Sequence, residues 1–149
     1  MAYKTGPFIS PELFRKFMLP SYIRTCEFFR KHGIEVIAVD SDGNIETLIP
    51  LFLEAGVNVV HPLEVAAGMD AAKLRKQYGK HLSFWGNIDK RALTKGRKEI
   101  EAEVFSKVPQ LIEKGGYVPF VDHHVPPDIP LENYFYYLRL LKDIFGMRE

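Results

Sequence analysis

The chain has 149 residues, 46% of them hydrophobic and 26% charged, which suits one domain large enough to bury a core. Lysine and arginine total 20 against 19 acidic residues, and this net charge of +1 argues against a nucleic-acid surface or a membrane-adsorbing face. A single cysteine, Cys26, leaves no disulfide framework or thiolate metal cage and favours an intracellular protein. Residues 1–7 contain no apolar run suited to a signal peptide or membrane span, so we expect a cytoplasmic protein.

The first predicted element is a leading helix over residues 10–32. Ser10 suits its N-cap because a proline follows at the first helical position, and Gly33 suits its end. Pro20 lies inside this stretch and removes a backbone donor. We therefore expect either a kink or two separate helices.

Four units, each a strand followed by a helix, are predicted over residues 34–146. The strands are short apolar or β-branched runs, and the helices carry apolar residues on one face. The connections are short enough to demand parallel strands and right-handed crossovers. The sequence thus predicts an α/β fold, in a single partial domain over residues 1–149. The predicted strands are 34–39, 57–60, 81–85 and 117–121, and the predicted helices are 45–54, 70–78, 97–114 and 130–145.

Polar side chains follow each predicted strand. Because the carboxyl ends of parallel strands lie at one edge of a sheet, these side chains should meet there, where α/β proteins bind ligands. Trp85, by contrast, is expected to pack in the core or against a helix and not to serve as a cofactor platform. The polar residues are Asp40 and Asp42, His61 and Glu64, Asn87 and Asp89, and Asp122 and His123.

Asp40, Asp42 and His123 are the candidate metal ligands. Carboxylate oxygens and an imidazole form a plausible set for a divalent cation. The spacing is equally compatible with an Asx turn, or with a cap on the helix that begins near Asn44. Both interpretations of the two aspartates stay open at this point.

His61, Glu64, Asn87 and Asp89 are candidates for binding a polar substrate. Each also has a plainer interpretation, because a histidine at a strand end can be structural and a loop carboxylate can cap a helix. Around His123, strand alternation places Asp122 and His124 on one face and His123 on the other. Alternation alone does not indicate which face points into a site.

Six segments, in this order, resemble the uroporphyrinogen decarboxylase superfamily, and together they span nearly the whole chain. The resemblance implies a (β/α)8 barrel, of which this chain resembles the second half, since a full barrel takes about 250 residues. Residues 1–4 also resemble an internal stretch of longer relatives, so we expect a fragment, a truncated gene or a misplaced start. The six segments are residues 40–44, 48–57, 61–64, 67–70, 85–89 and 122–134.

The superfamily includes porphyrinogen decarboxylases, which need no cofactor, and corrinoid-linked methyltransferases, which bind zinc. By resemblance, Asp40, Asp42 and His123 stand where the methyltransferases have one histidine and two cysteines. Oxygen ligands in place of thiolates suit either a harder divalent ion or a site that has lost its metal. In the decarboxylases a histidine occupies the place of His123, which makes His123 a candidate catalytic residue with Asp122 beside it.

The resemblance therefore implies metal-assisted methyl transfer between a small methylated substrate or thiol and a corrinoid protein. The first alternative is a metal-free uroporphyrinogen decarboxylase of porphyrin biosynthesis, and the second is an inactive half-barrel fragment. An open sheet of four strands has two unpaired edges, so we also expect a homodimer or pairing with a missing half-barrel. We expect the chain alone to be inactive, because half of the pocket would be absent.

Overall fold

A computed structural model describes residues 1–147 of the protein. Two short antiparallel strands come first, β1 (Ala2–Tyr3) and β2 (Gly6–Pro7), followed by the helices α1 (Pro11–Phe17) and α2 (Leu19–Lys31). The remaining strands are β3 (Ala38–Asp40), β4 (Val59–His61), β5 (Ser83–Ile88) and β6 (Tyr117–Val121). The remaining helices are α3 (Ile49–Ala55), α4 (Ala71–Tyr78), α5 (Lys90–Lys95), α6 (Arg97–Ile112) and α7 (Leu131–Ile144), and a 3-10 turn spans Val65–Ala67.

Strands β3 to β6 form one parallel sheet in the order β3-β4-β5-β6. Strands that are consecutive in the chain are therefore neighbours in the sheet, and each pair is connected through at least one helix, as in a βα barrel. One face of the sheet packs against the helices, and its central row consists of buried Val39, Val60, Phe84 and Tyr117. The predicted α/β fold, a partial βα barrel with four parallel strands, is confirmed.

The opposite face of the sheet is open. Here Asp40 pairs with His61 and Trp85 pairs with Val118, and the Trp85 and Val118 side chains are 40% and 55% exposed. The expectation that Trp85 is a core residue is therefore wrong. In a closed barrel this face would be the interior, which side chains from all strands fill.

The leading helical region divides at Met18 into two helices, which confirms the second of the two expected outcomes. The Ser10 hydroxyl accepts a hydrogen bond from the Leu13 N–H at 3.2 Å and so caps α1. Pro20 lies in the first turn of α2, where its missing N–H leaves no intrahelical bond unmade.

Three predicted strands have different bounds in the structure. β4 spans Val59–His61 instead of residues 57–60. β3 begins at Ala38 instead of residue 34, because the Ile37 N–H donates to Asn58 Oδ1 at 2.8 Å and not to a neighbouring strand. β5 begins at Ser83 and continues to Ile88, so Asn87 lies within the strand and not after it. The helix α5 was not predicted.

Within residues 1–147, strands β3 and β6 each have a neighbour on one side only. Pairing through these edges stays a prediction, which light scattering of the 149-residue chain would test. We expect the mass of a dimer or a larger assembly, and a stable monomer would contradict the prediction. None of the helices in residues 1–147 is long and apolar enough to cross a membrane.

Candidate functional site

A pocket of about 260 Å³ opens at the carboxyl ends of β3, β4 and β6. It brings together four of the residues that the sequence placed at strand ends, namely Asp40, Asp42, His61 and His123. They meet because parallel neighbouring strands end at the same edge of the sheet. The other lining residues are Pro62, Phe120, His124 and Val125.

Three side chains at this edge are close enough to share a metal ion. One ligand atom from each of Asp42, Glu64 and His123 lies within 4.8 Å of the other two. His123 Nε2 lies 3.4 Å from Asp42 Oδ1. Two carboxylates and one imidazole suit zinc or a harder divalent ion, so the donor set fits the kind of metal that the resemblance implies.

The group of three differs from the predicted ligand set by one residue. Asp40 lines the same pocket, but among the described residues the group contains Glu64, for which the sequence predicted substrate binding. Glu64 is placed by a sharp turn after β4, where Leu63 has a φ of 63°. Its Oε2 then accepts a hydrogen bond from the Gly43 N–H at 2.7 Å, which ties the loop after β4 to the loop after β3.

His61 belongs to an aromatic surface on the open face of the sheet. Its ring centroid lies 4.4 Å from that of Trp85 and 6.1 Å from that of Phe120. His61 Nδ1 lies 3.1 Å from the Trp85 carbonyl oxygen. Because a carbonyl only accepts, Nδ1 carries the proton in the neutral ring and Nε2 is an acceptor.

Asp122 lies buried beneath the pocket, with 0% exposure. Its Oδ2 accepts from the Val65 N–H at 2.9 Å and its Oδ1 from the Lys90 N–H at 3.1 Å. The carboxylate thus joins the loop after β4 and the start of α5 to the end of β6, directly before His123. These bonds support the site, and the catalytic role of Asp122 stays a prediction.

Asn87 is also fully buried, and its amide is used inside the protein. Oδ1 accepts from the Ala71 N–H at 3.0 Å, and Nδ2 donates to the carbonyls of Leu63 and Met69 at 2.8 and 3.0 Å. Asn87 therefore holds the segment between β4 and α4 in place. The structure does not bring it into the pocket of Asp42 and His123, and its predicted contact with substrate stays untested.

Asp89 lies in a separate shallow depression between α5 and α6. It caps α5 by accepting from the Arg91 N–H at 2.9 Å, and it pairs with the Arg91 guanidinium at 2.7 Å. Burial alone would raise the pKa of the Asp89 carboxyl, but the bonds from Arg91 outweigh burial and hold this pKa below its usual value. The predicted role in substrate binding stays untested, and the visible role of Asp89 is that of a cap.

The four parallel strands and the helices that connect them define this chain as a βα-barrel protein. Its acidic and imidazole side chains lie at the carboxyl ends of the strands, where βα barrels have their active sites. The family model described as uroporphyrinogen decarboxylase (URO-D) matches residues 3–144. The chain belongs to that family, which confirms the resemblance seen in its motifs. A search of curated proteins finds no match.

Proposed function

We propose that this protein supplies part of the active site of a URO-D family enzyme that transfers a methyl group between a small methylated substrate or thiol and a corrinoid protein. The grouping of Asp42, Glu64 and His123 supports this proposal most directly. Two carboxylates and an imidazole at the carboxyl edge of a barrel suit metal-assisted chemistry, whereas the decarboxylases that the chain resembles need no cofactor.

The side chains of the pocket have distinct tasks in this proposal. Asp42, Glu64 and His123 would hold a divalent cation, which when bound lowers the pKa of a thiol acceptor. His61 Nε2 can accept the thiol proton, because Nδ1 is committed to the Trp85 carbonyl. The corrinoid of the partner protein would supply the methyl group to the thiol sulfur and would keep the electron pair of the bond that is broken.

Metal binding by ligand variants tests the proposal. We expect the purified chain to bind about one zinc ion after dialysis, measured by elemental analysis and titration calorimetry. Loss of a supporting partner lowers metal affinity by about 10- to 100-fold, so Asp42→Ala, Glu64→Ala and His123→Ala should each lower it by at least about 100-fold. Asp40→Ala is the matched control, since Asp40 lines the same pocket outside the group of three.

A folded chain that binds no divalent ion would contradict metal assistance.

The second candidate is then a uroporphyrinogen decarboxylase. It is favoured by the imidazoles of His61, His123 and His124, which lie in one pocket and can bind carboxylate groups. With a complementary amino-terminal half supplied, methylcobalamin and a thiol test the first candidate, and porphyrin binding tests the second. Failure of His123→Ala to weaken porphyrin binding would reject the decarboxylase interpretation.

A further inference from the structure

Lys90 places a positive charge against the candidate metal centre. Its Nζ lies 3.9 Å from Glu64 Oε1 and 3.6 Å from Asp122 Oδ1, and its side chain is 23% exposed. Lys90 is the first residue of α5, where the helix dipole disfavours a cation. The two carboxylates therefore account for its position, because nothing in the helix itself favours a lysine there.

The two oxygens of Glu64 face different partners. Oε2 accepts from the Gly43 N–H, and Oε1 faces the Lys90 ammonium. A metal ion at Asp42, Glu64 and His123 must therefore share Glu64 with Lys90. Lys90 also contacts Asp122, the residue before His123. One ammonium group therefore lies against the ligand Glu64 and against the residue next to the ligand His123.

We infer that Lys90 is a positioning residue that acts as the built-in counter-ion of this centre and limits its affinity for divalent cations. The inference rests on the proposed function, because it concerns the same three ligands. A single charge a few ångströms from a divalent ion, in a site partly withdrawn from water, repels it strongly enough to change affinity by at least about tenfold. Without a metal, Lys90 offsets part of the negative charge of Glu64 and Asp122.

Titration calorimetry with Zn²⁺ and Mn²⁺ tests this inference on the full chain. We expect Lys90→Met to bind at least about tenfold more tightly than the wild type, because the competing charge is gone. Lys90→Arg keeps the charge and should return the affinity towards the wild-type value. Lys107→Met is the matched control, since Lys107 is a similarly buried lysine paired with Glu103 on α6, and it should leave the affinity unchanged.

The direction of the change separates this role from a merely structural one. Loss of support for Glu64 and Asp122 would weaken metal binding, whereas loss of a counter-ion strengthens it. Lys90→Met also leaves the buried Asp122 carboxylate without its ammonium, so Lys90→Gln is a second variant that removes the charge and keeps an N–H donor. Circular dichroism verifies that each variant is folded, and Lys90→Gln should show the same tighter binding.

Each outcome decides between the two proposals. Suppose that the wild type binds metal through its three ligands, while Lys90→Met and Lys90→Gln, the two neutral variants, bind it equally or more weakly. This result would overturn the role of Lys90 and leave the proposed function standing. A wild type that binds no metal, with neutral variants that do, would show that Lys90 blocks the centre and would contradict metal assistance. If none of the chains binds metal, both proposals are rejected.

Discussion

Gly86→Ala is expected to lower the free energy of unfolding by about 4 kcal/mol, enough to unfold a large fraction of a marginally stable domain. Gly86 has a φ of +117°, and a Cβ atom added there would lie 2.0 Å from the carbonyl oxygen of Pro62. The same carbonyl accepts the Asn87 N–H at 2.9 Å, so it cannot move without breaking a bond between β5 and the end of β4. Both left-handed strain and a backbone clash oppose the added methyl group.

Urea unfolding of Gly86→Ala and Gly33→Ala separates these two causes. Gly33 has a φ of +80°, and a Cβ added there meets nothing within 4 Å. We therefore expect Gly33→Ala to lower the free energy of unfolding by about 1 kcal/mol, through strain alone. Equal losses of unfolding free energy in the two variants would mean that the clash with the Pro62 carbonyl does not contribute to the instability of Gly86→Ala.

Several helix ends could be predicted because they depend on nearby residues, although α3 begins at Ile49 instead of residue 45 and α5 was missed. The side chains of Ser10 and Asp70 accept hydrogen bonds from the first turns of α1 and α4, and Gly56 follows α3 with a φ of 101°. Each of these interactions spans three residues or fewer. The residue type at the capping position is then enough to indicate where a helix begins or ends.

The extent of β5 could not be read in the same way. Gly86 and Asn87 both have positive φ values and look like a turn in the sequence. The strand nevertheless continues, because Asn87 pairs with Phe120 and Ile88 pairs with Val121 on β6. Pairing with a strand some thirty positions away in the chain overrides the local preference, and a single sequence does not show that partner.

The position of the site was predictable, but the tasks of its carboxylates were not. Parallel strand order alone brings Asp42, His61 and His123 to one pocket. Whether an acid there faces the pocket or a backbone amide depends on loop geometry, such as the positive φ of Leu63 that places Glu64. Asp89 offers the same carboxylate chemistry as Asp42, yet it caps α5 because an N–H of the next helix lies within reach.

Asp122→Ala is the second substitution with a large expected effect, a loss of about 3–5 kcal/mol in the free energy of unfolding. The carboxylate is fully buried and accepts two backbone N–H groups, from Val65 and Lys90. Its removal leaves these two N–H donors without their acceptor and removes one of the two carboxylates that face the Lys90 ammonium. Urea unfolding measures the loss, and Asp40→Ala, an exposed residue at the end of β3, should change stability little.

Asp122→Asn distinguishes a structural role of Asp122 from a role in the reaction. The substitution keeps one acceptor oxygen and the shape of the side chain while removing the charge. If Asp122 mainly supports the loops, Asp122→Asn and Lys90→Met should be coupled in a double-mutant cycle by about 1 kcal/mol or more, since a charge pair 3.6 Å apart is lost in either variant. Because both oxygens accept backbone N–H groups, Asp122→Asn leaves one of these donors facing an amide nitrogen and lowers stability in either case. If Asp122 takes part in the reaction, Asp122→Asn should also lose turnover in the completed barrel under conditions where the variant is still folded. A large loss of stability in Asp122→Ala with normal turnover in Asp122→Asn would therefore reject the predicted catalytic role and leave His123 as the catalytic candidate of this segment.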